Sequence, residues 1–189
     1  MTARNWLRLA GIAGMLAARP AIAGGIPLPK GQFASTISGS FAICFSPTPP
    51  FPEEACNTAG VLVAPLTALL NGALTLDKNG NSCGSFVETD ADSPVDVTPP
   101  FLTPNEHIAR TVTTYDSSTG TGDESFTGYM GGSCNGSNFD STGATTVSSG
   151  TDHFVVSEQG KRIDFQITTA TNPNNAIGAF SLSGVNRAQ

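Results

Sequence analysis

The chain is 189 residues long, 13% charged and 39% hydrophobic, with a net charge of −6. That size fits one globular domain. The acidic balance excludes nucleic acid and anionic membrane surfaces as natural partners, because both require a positive field.

Residues 1–23 read as an export signal: Arg4 and Arg8 at the front, a short apolar run from Leu9 to Ala18, and Ala21-Ile22-Ala23 as the cleavage pattern. The run is too short to span a bilayer, and no membrane insertion is expected of the remainder. Cleavage near Ala23 leaves residues 24–189 as a single β domain, with six basic residues against fifteen acidic ones, a net charge of −9. The expected location is periplasmic or secreted. Cys44, Cys56, Cys83 and Cys134 then sit in an oxidising compartment and are expected to form two disulfides. Of the three pairings, Cys44–Cys56 with Cys83–Cys134 is favoured, because the first closes a short Pro-rich loop. Zinc is disfavoured by the wide spacings and the lack of a CxxC pair.

Gly24 to Lys30 is a Gly/Pro stretch, read as extended. Ser40 to Phe45 is a short β run, ended by Pro47, Pro49, Pro50 and Pro52. Ala59 to Leu70 mixes alanine and leucine with valine and Pro65, and reads as a short strand to Ala64 followed by a helical turn or two. Ala73 to Glu88 is a hairpin about Asn79-Gly80, with a two-residue turn placing Leu76 opposite Cys83 and Leu74 opposite Ser85. Cys83 would then point to the leucine side. Thr89 to Glu106, rich in aspartate and proline, reads as a long solvated loop, with a flap over one end of the fold as the sharper alternative.

Strands resume at His107 to Tyr115 and Glu124 to Met130. A glycine-rich segment around Cys134 and a Thr-rich stretch, Asn138 to Val147, come next. His153 to Ile167 is the clearest hairpin. A turn at Gln159-Gly160 sets Val156 opposite Ile163 and Phe154 opposite Phe165, with Ile163, Phe165 and Ile167 on one face. After a turn at Asn172 to Asn175, a last strand runs from Ile177 to Val185. Eight or nine strands with short turns favour an antiparallel up-and-down meander closed into a barrel, with a β-sandwich as the alternative.

Three stretches carry a resemblance: Asp77 to Gly84, Gly128-Tyr129 running to Cys134-Asn135-Gly136, and Phe154 to Ile167. Together they resemble a group of exported bacterial β-barrel proteins of unassigned function, lipocalin-like in shape. The resemblance implies a barrel and export, and brings no catalytic residues with it.

Candidate chemistry is sparse. Asp77, Asn79, Asn81, Cys83, Ser85 and Glu88 fall at calcium-loop positions, but Ser82 stands where the loop needs glycine, and the stretch reads equally as a hairpin. Asp152-His153 suggests an oriented imidazole, and His107 has Glu106 beside it. Both histidines fit polar strand positions, and no Gly-x-Ser-x-Gly elbow occurs. No catalytic residue, metal site or cofactor is assigned, and a hydrolase is the weakest reading. The two stronger ones are a binding module for a small apolar or amphiphilic ligand and a structural or interaction protein of the envelope or an extracellular surface. In the first, Phe41, Phe86, Phe126, Phe154, Phe165 and Phe180 would line the interior.

Overall fold

The computed structural model describes residues 25–91 and 102–189. The export signal and the central part of the acidic loop, residues 92–101, lie outside the described residues. Ten strands follow in order: β1 (Gly31–Phe45), β2 (Leu62–Leu76), β3 (Asn81–Ala91), β4 (Leu102–Asp116), β5 (Thr121–Met130), β6 (Ser133–Asn135), β7 (Asn138–Asp140), β8 (Thr145–Ser157), β9 (Arg162–Thr171) and β10 (Ile177–Ala188). Eight of them close an antiparallel barrel in the order β1-β10-β9-β8-β5-β4-β3-β2, while β6 and β7 form a separate small hairpin. Apart from that hairpin's insertion between β5 and β8, each barrel strand pairs with its chain neighbour, and the first and last strands, β1 and β10, pair to close the barrel, which is the meander expected of short turns.

β2 is one continuous strand, and the helical turn expected after Ala64 is not there. Its residues Ala64, Leu66, Ala68, Leu70, Leu74 and Leu76 recur every second position and turn inward, while Val63, Pro65 and Leu69 face out. The Leu69-Leu70 doublet hides this period-two pattern in the sequence. Pro65 is tolerated because it lies beyond the last β2–β3 pair, Thr67 with Ala91.

The Ala73 to Glu88 hairpin is shifted by one from the expected register: Leu76 pairs with Ser82, and Thr75 with Cys83. The cause is Asp77, whose Oδ1 accepts the backbone N–H groups of Asn79 at 2.8 Å and Asn81 at 2.9 Å. That Asx-type turn widens the loop to three residues, with Gly80 at φ 84° closing it. Ser82, Gly84 and Phe86 therefore face inward, and Cys83 faces out, not toward the leucines. Cys83 is still buried, because the β6–β7 hairpin packs on that outer wall and Cys134 bonds to it. The second disulfide joins Cys44 to Cys56, so the two favoured pairings are the ones present.

The His153 to Ile167 hairpin has the expected register, Phe154 with Phe165 and Val156 with Ile163. Its turn is four residues wide rather than two, with Glu158, Gln159 and Gly160 all at positive φ. Strand β4 begins at Leu102 and β3 runs to Ala91, so both flanks of the expected long loop are strand.

Four inward phenylalanines pair directly across the ladder with glycines: Phe86 with Gly72, Phe126 with Gly150, Phe154 with Gly122 and Phe165 with Gly184. Each ring lies over its glycine; a Cβ on Gly184 would sit 2.2 Å from the Phe165 ring. An eight-stranded barrel has room for little more than its own side chains, and the glycines make the space these rings need.

The outer wall exposes Thr111, Thr113, Thr151, His153, Gln166 and Thr168, and with them Val63, Leu69, Val87 and Val155. Among the described residues no helix is long and apolar enough to cross a membrane.

Candidate ligand cavity inside the barrel

The two ends of the barrel differ. At one end the turns are short, residues 77–80, 117–120 and 158–161, and the segment before β1 folds back across them. Ile26 donates its N–H to Ser117 O at 2.7 Å and accepts the Tyr115 hydroxyl at 2.9 Å, and Ile26 and Leu28 pack onto the core. Phe33, Leu74, Leu76, Phe154, Val156 and Ile163 fill that half. At the other end the connections are longer. Residues 46–61, held by Cys44–Cys56, and the Asn172–Ala176 turn flank the rim.

Between the packed half and the rim lies a cavity of about 390 Å³, partly open to solvent. Its walls are mainly apolar: Ile37, Phe41 and Ile43 from β1, Ala68 and Leu70 from β2, Ile108 from β4, Phe126 and Met130 from β5, Ile167 and Ala170 from β9, and Ile177 and Leu182 from β10. The volume falls within the range of small-molecule sites, roughly 300–1,000 Å³. Four charged side chains also line it: Glu53, Glu88, Glu106 and Arg110.

Arg110 forms the floor. Its Nη1 donates to Glu124 Oε1 at 2.5 Å and to Asp152 Oδ2 at 3.0 Å, and its guanidinium lies 4.4 Å from the Phe165 ring centroid. The side chains of Arg110 and Asp152 are 3% and 0% exposed, so the cluster is dry. Burial works against the Arg110 charge, but Glu124 and Asp152 outweigh it and hold the guanidinium above its ordinary pKa. For Asp152 burial dominates, and the Glu124 charge adds to it against the opposing pull of Arg110. Its carboxyl is pushed up to about 8. At neutral pH Asp152 thus keeps its proton, which lowers the charge that this buried cluster has to hold.

Of the expected lining residues, Phe41 and Phe126 border the cavity. Phe86, Phe154 and Phe165 are buried in the core, and Phe180 is partly buried against it; none of these four reaches the cavity surface. Of the charged residues of the site, Glu53, Arg110 and Glu124 were missed, and Glu88, Glu106 and Asp152 were considered only in other roles. They were legible by parity, since Arg110 occupies an inward slot between Ile108 and Val112, and Asp152 precedes the inward Phe154 and Val156 by the same step.

The two histidines stand on the outer wall. His153 is separated from Asp152 by the alternation of β8: Asp152 turns in to Arg110, and His153 turns out to Asp123 Oδ1 at 2.9 Å. His107 Nδ1 lies 3.0 Å from Ser85 Oγ and 3.7 Å from Cys134 Sγ, with its ring 6.1 Å from that of Phe139. Neither histidine lines the cavity.

In the calcium-like stretch, the Asp77 carboxylate is turned onto its own hairpin, and its Oδ2 also accepts from Ser137 Oγ at 3.1 Å. Among the described residues no group of three or more His, Cys, Asp or Glu side chains is arranged to hold a metal ion. No family model, curated protein or solved structure matches this chain, so its function is argued from the geometry of the site itself.

Proposed function

We propose that this protein is an exported, non-enzymatic binding protein that carries a small apolar or amphiphilic molecule inside a lipocalin-like barrel. The observation that supports this is the asymmetry of the interior: one half packed solid, the other a cavity of about 390 Å³ with mainly aliphatic walls. A barrel that served only as a scaffold has no need to leave half of its core unfilled, because apolar side chains gain stability by filling such space. The proposed export rests on the leader, residues 1–23, and agrees with the two disulfides.

Native mass spectrometry of protein purified from its source tests the proposal. A carrier shows a retained adduct of small-molecule mass that disappears on denaturation. Protein that carries no adduct and binds no apolar fluorescent probe is not a carrier. The second reading, an interaction module of the envelope or an extracellular surface, draws on Val63, Leu69 and Val87, which are 61%, 42% and 49% exposed on the outside of β2 and β3.

A further inference from the structure

We infer that the ligand carries a neutral hydrogen-bond acceptor, a ketone, ester or amide carbonyl on an apolar body, and that Arg110 at the cavity floor receives it. This rests on the carrier reading above and assigns the ligand's polar group. Arg110 is the one basic side chain among the described residues that line the cavity.

A guanidinium offers several N–H donors in a fixed fork. The bonds of Arg110 to Glu124 and Asp152 both come from Nη1. Its Nε is buried without a hydrogen-bond partner, and Nη2 takes no part in the two bonds. Buried donors are nearly always paired, and leaving one unmet in a dry interior is costly. The Arg110 side chain is only 3% exposed, and the cavity lies against it. An acceptor lying against that floor would meet the spare Nε–Nη2 edge. The acceptor is neutral because the floor does not favour a further anion. Asp152, bonded to the same guanidinium, keeps its proton, since burial outweighs the pull of Arg110. A ligand carboxylate on the other edge would meet the same burial beside the same acidic groups. A carbonyl oxygen accepts from the guanidinium and brings no charge. The rest of the ligand must be apolar, because Ile37, Ile108, Ile167 and Leu182 form the walls around that floor.

The test compares methyl nonyl ketone, its isostere with a methylene group in place of the carbonyl oxygen, and undecanoate. Each displaces N-phenylnaphthylamine from the full-length disulfide-bonded protein at neutral pH, below its solubility limit. The ratio of ketone to isostere affinity isolates the oxygen. Removing the whole cluster, Arg110→Met with Glu124→Leu and Asp152→Leu, strands no buried acid. It should lower that ratio about tenfold, the equivalent of roughly 1.4 kcal/mol. Wild type should bind undecanoate less tightly than the ketone. Nitrogen-15 NMR of wild type reads the contact directly and decides the matter even if the triple variant does not fold. The ketone should shift the Arg110 Nε–H resonance, and the isostere should leave it near its free position. An Nε–H resonance that responds alike to both, undecanoate binding more tightly than the ketone, or a ratio that the folded triple variant keeps overturns the inference while leaving the carrier reading intact. If neither the fluorescent probe nor any of the three compounds binds, the carrier reading fails and the assignment of the polar group fails with it.

Discussion

Arg110 occupies a slot that the alternation of β4 reserves for an apolar side chain, and its charge is tolerated there because β5 and β8 deliver Glu124 and Asp152 to it. Removing the arginine alone strands buried acidic groups. Arg110→Ala should cost about 3–5 kcal/mol of stability at pH 7, read from urea unfolding, while replacing all three residues with packed aliphatics should cost far less. Asp152 gives the cluster a pH signature. Its folded pKa of about 8 stands above the ordinary 3.8, so between those values the folded state keeps a proton that the unfolded chain has released. Stability should therefore fall as pH rises from 4 to 8, through this group. Asp152→Asn should flatten the decline in that window, and a variant that kept the wild-type slope would contradict the assignment. The exposed carboxylates held low by turn and strand hydrogen bonds, Asp77, Asp116, Asp123 and Asp140, lose their stabilising effect only as pH falls below the ordinary carboxylate range, outside that window.

The β6–β7 hairpin forms a separate two-stranded sheet outside the barrel wall. It is held against the wall by Cys83–Cys134, by the Tyr129–Phe139 stack at 4.1 Å, and by the Ser137 hydroxyl donating to Asp77. The two disulfides close loops of different length, with sequence separations of 51 and 12. By chain entropy, replacing Cys83 and Cys134 with alanine should cost about 4 kcal/mol, against about 3 kcal/mol for Cys44 and Cys56. Unfolding midpoints of the two double variants check the order.

The strands of the His153 to Ile167 hairpin were legible because their alternation is clean and a register slip would bury charge. β2 was not, because adjacent leucines and a proline obscure its period. The register of the Asp77 hairpin was missed because one side chain, by accepting two backbone N–H groups, selected a three-residue loop over the two-residue turn that Asn-Gly usually specifies. The cavity itself lay beyond the sequence. Which inward side chains touch one another depends on strand stagger around a closed barrel, and one sequence does not specify that stagger. The aromatic residues were taken as the lining, whereas most of them pack over glycines in the core and smaller aliphatic side chains form most of the walls.

Taken as a whole, the molecule is a barrel closed by its own N-terminal segment at one end and hollow toward the other. The central claim is that the hollow half exists to be occupied. Ala68 lines it and is 2% exposed, so Ala68→Phe places a ring in the cavity without touching the outer wall. The most direct measurement is a fluorescence titration of wild type and this variant with one neutral apolar probe, with circular dichroism as the check that both are folded. The account predicts saturable one-to-one binding by wild type and at least about tenfold weaker binding by the folded variant, the equivalent of roughly 1.4 kcal/mol. Equal binding by the two proteins, or none by wild type, would contradict it.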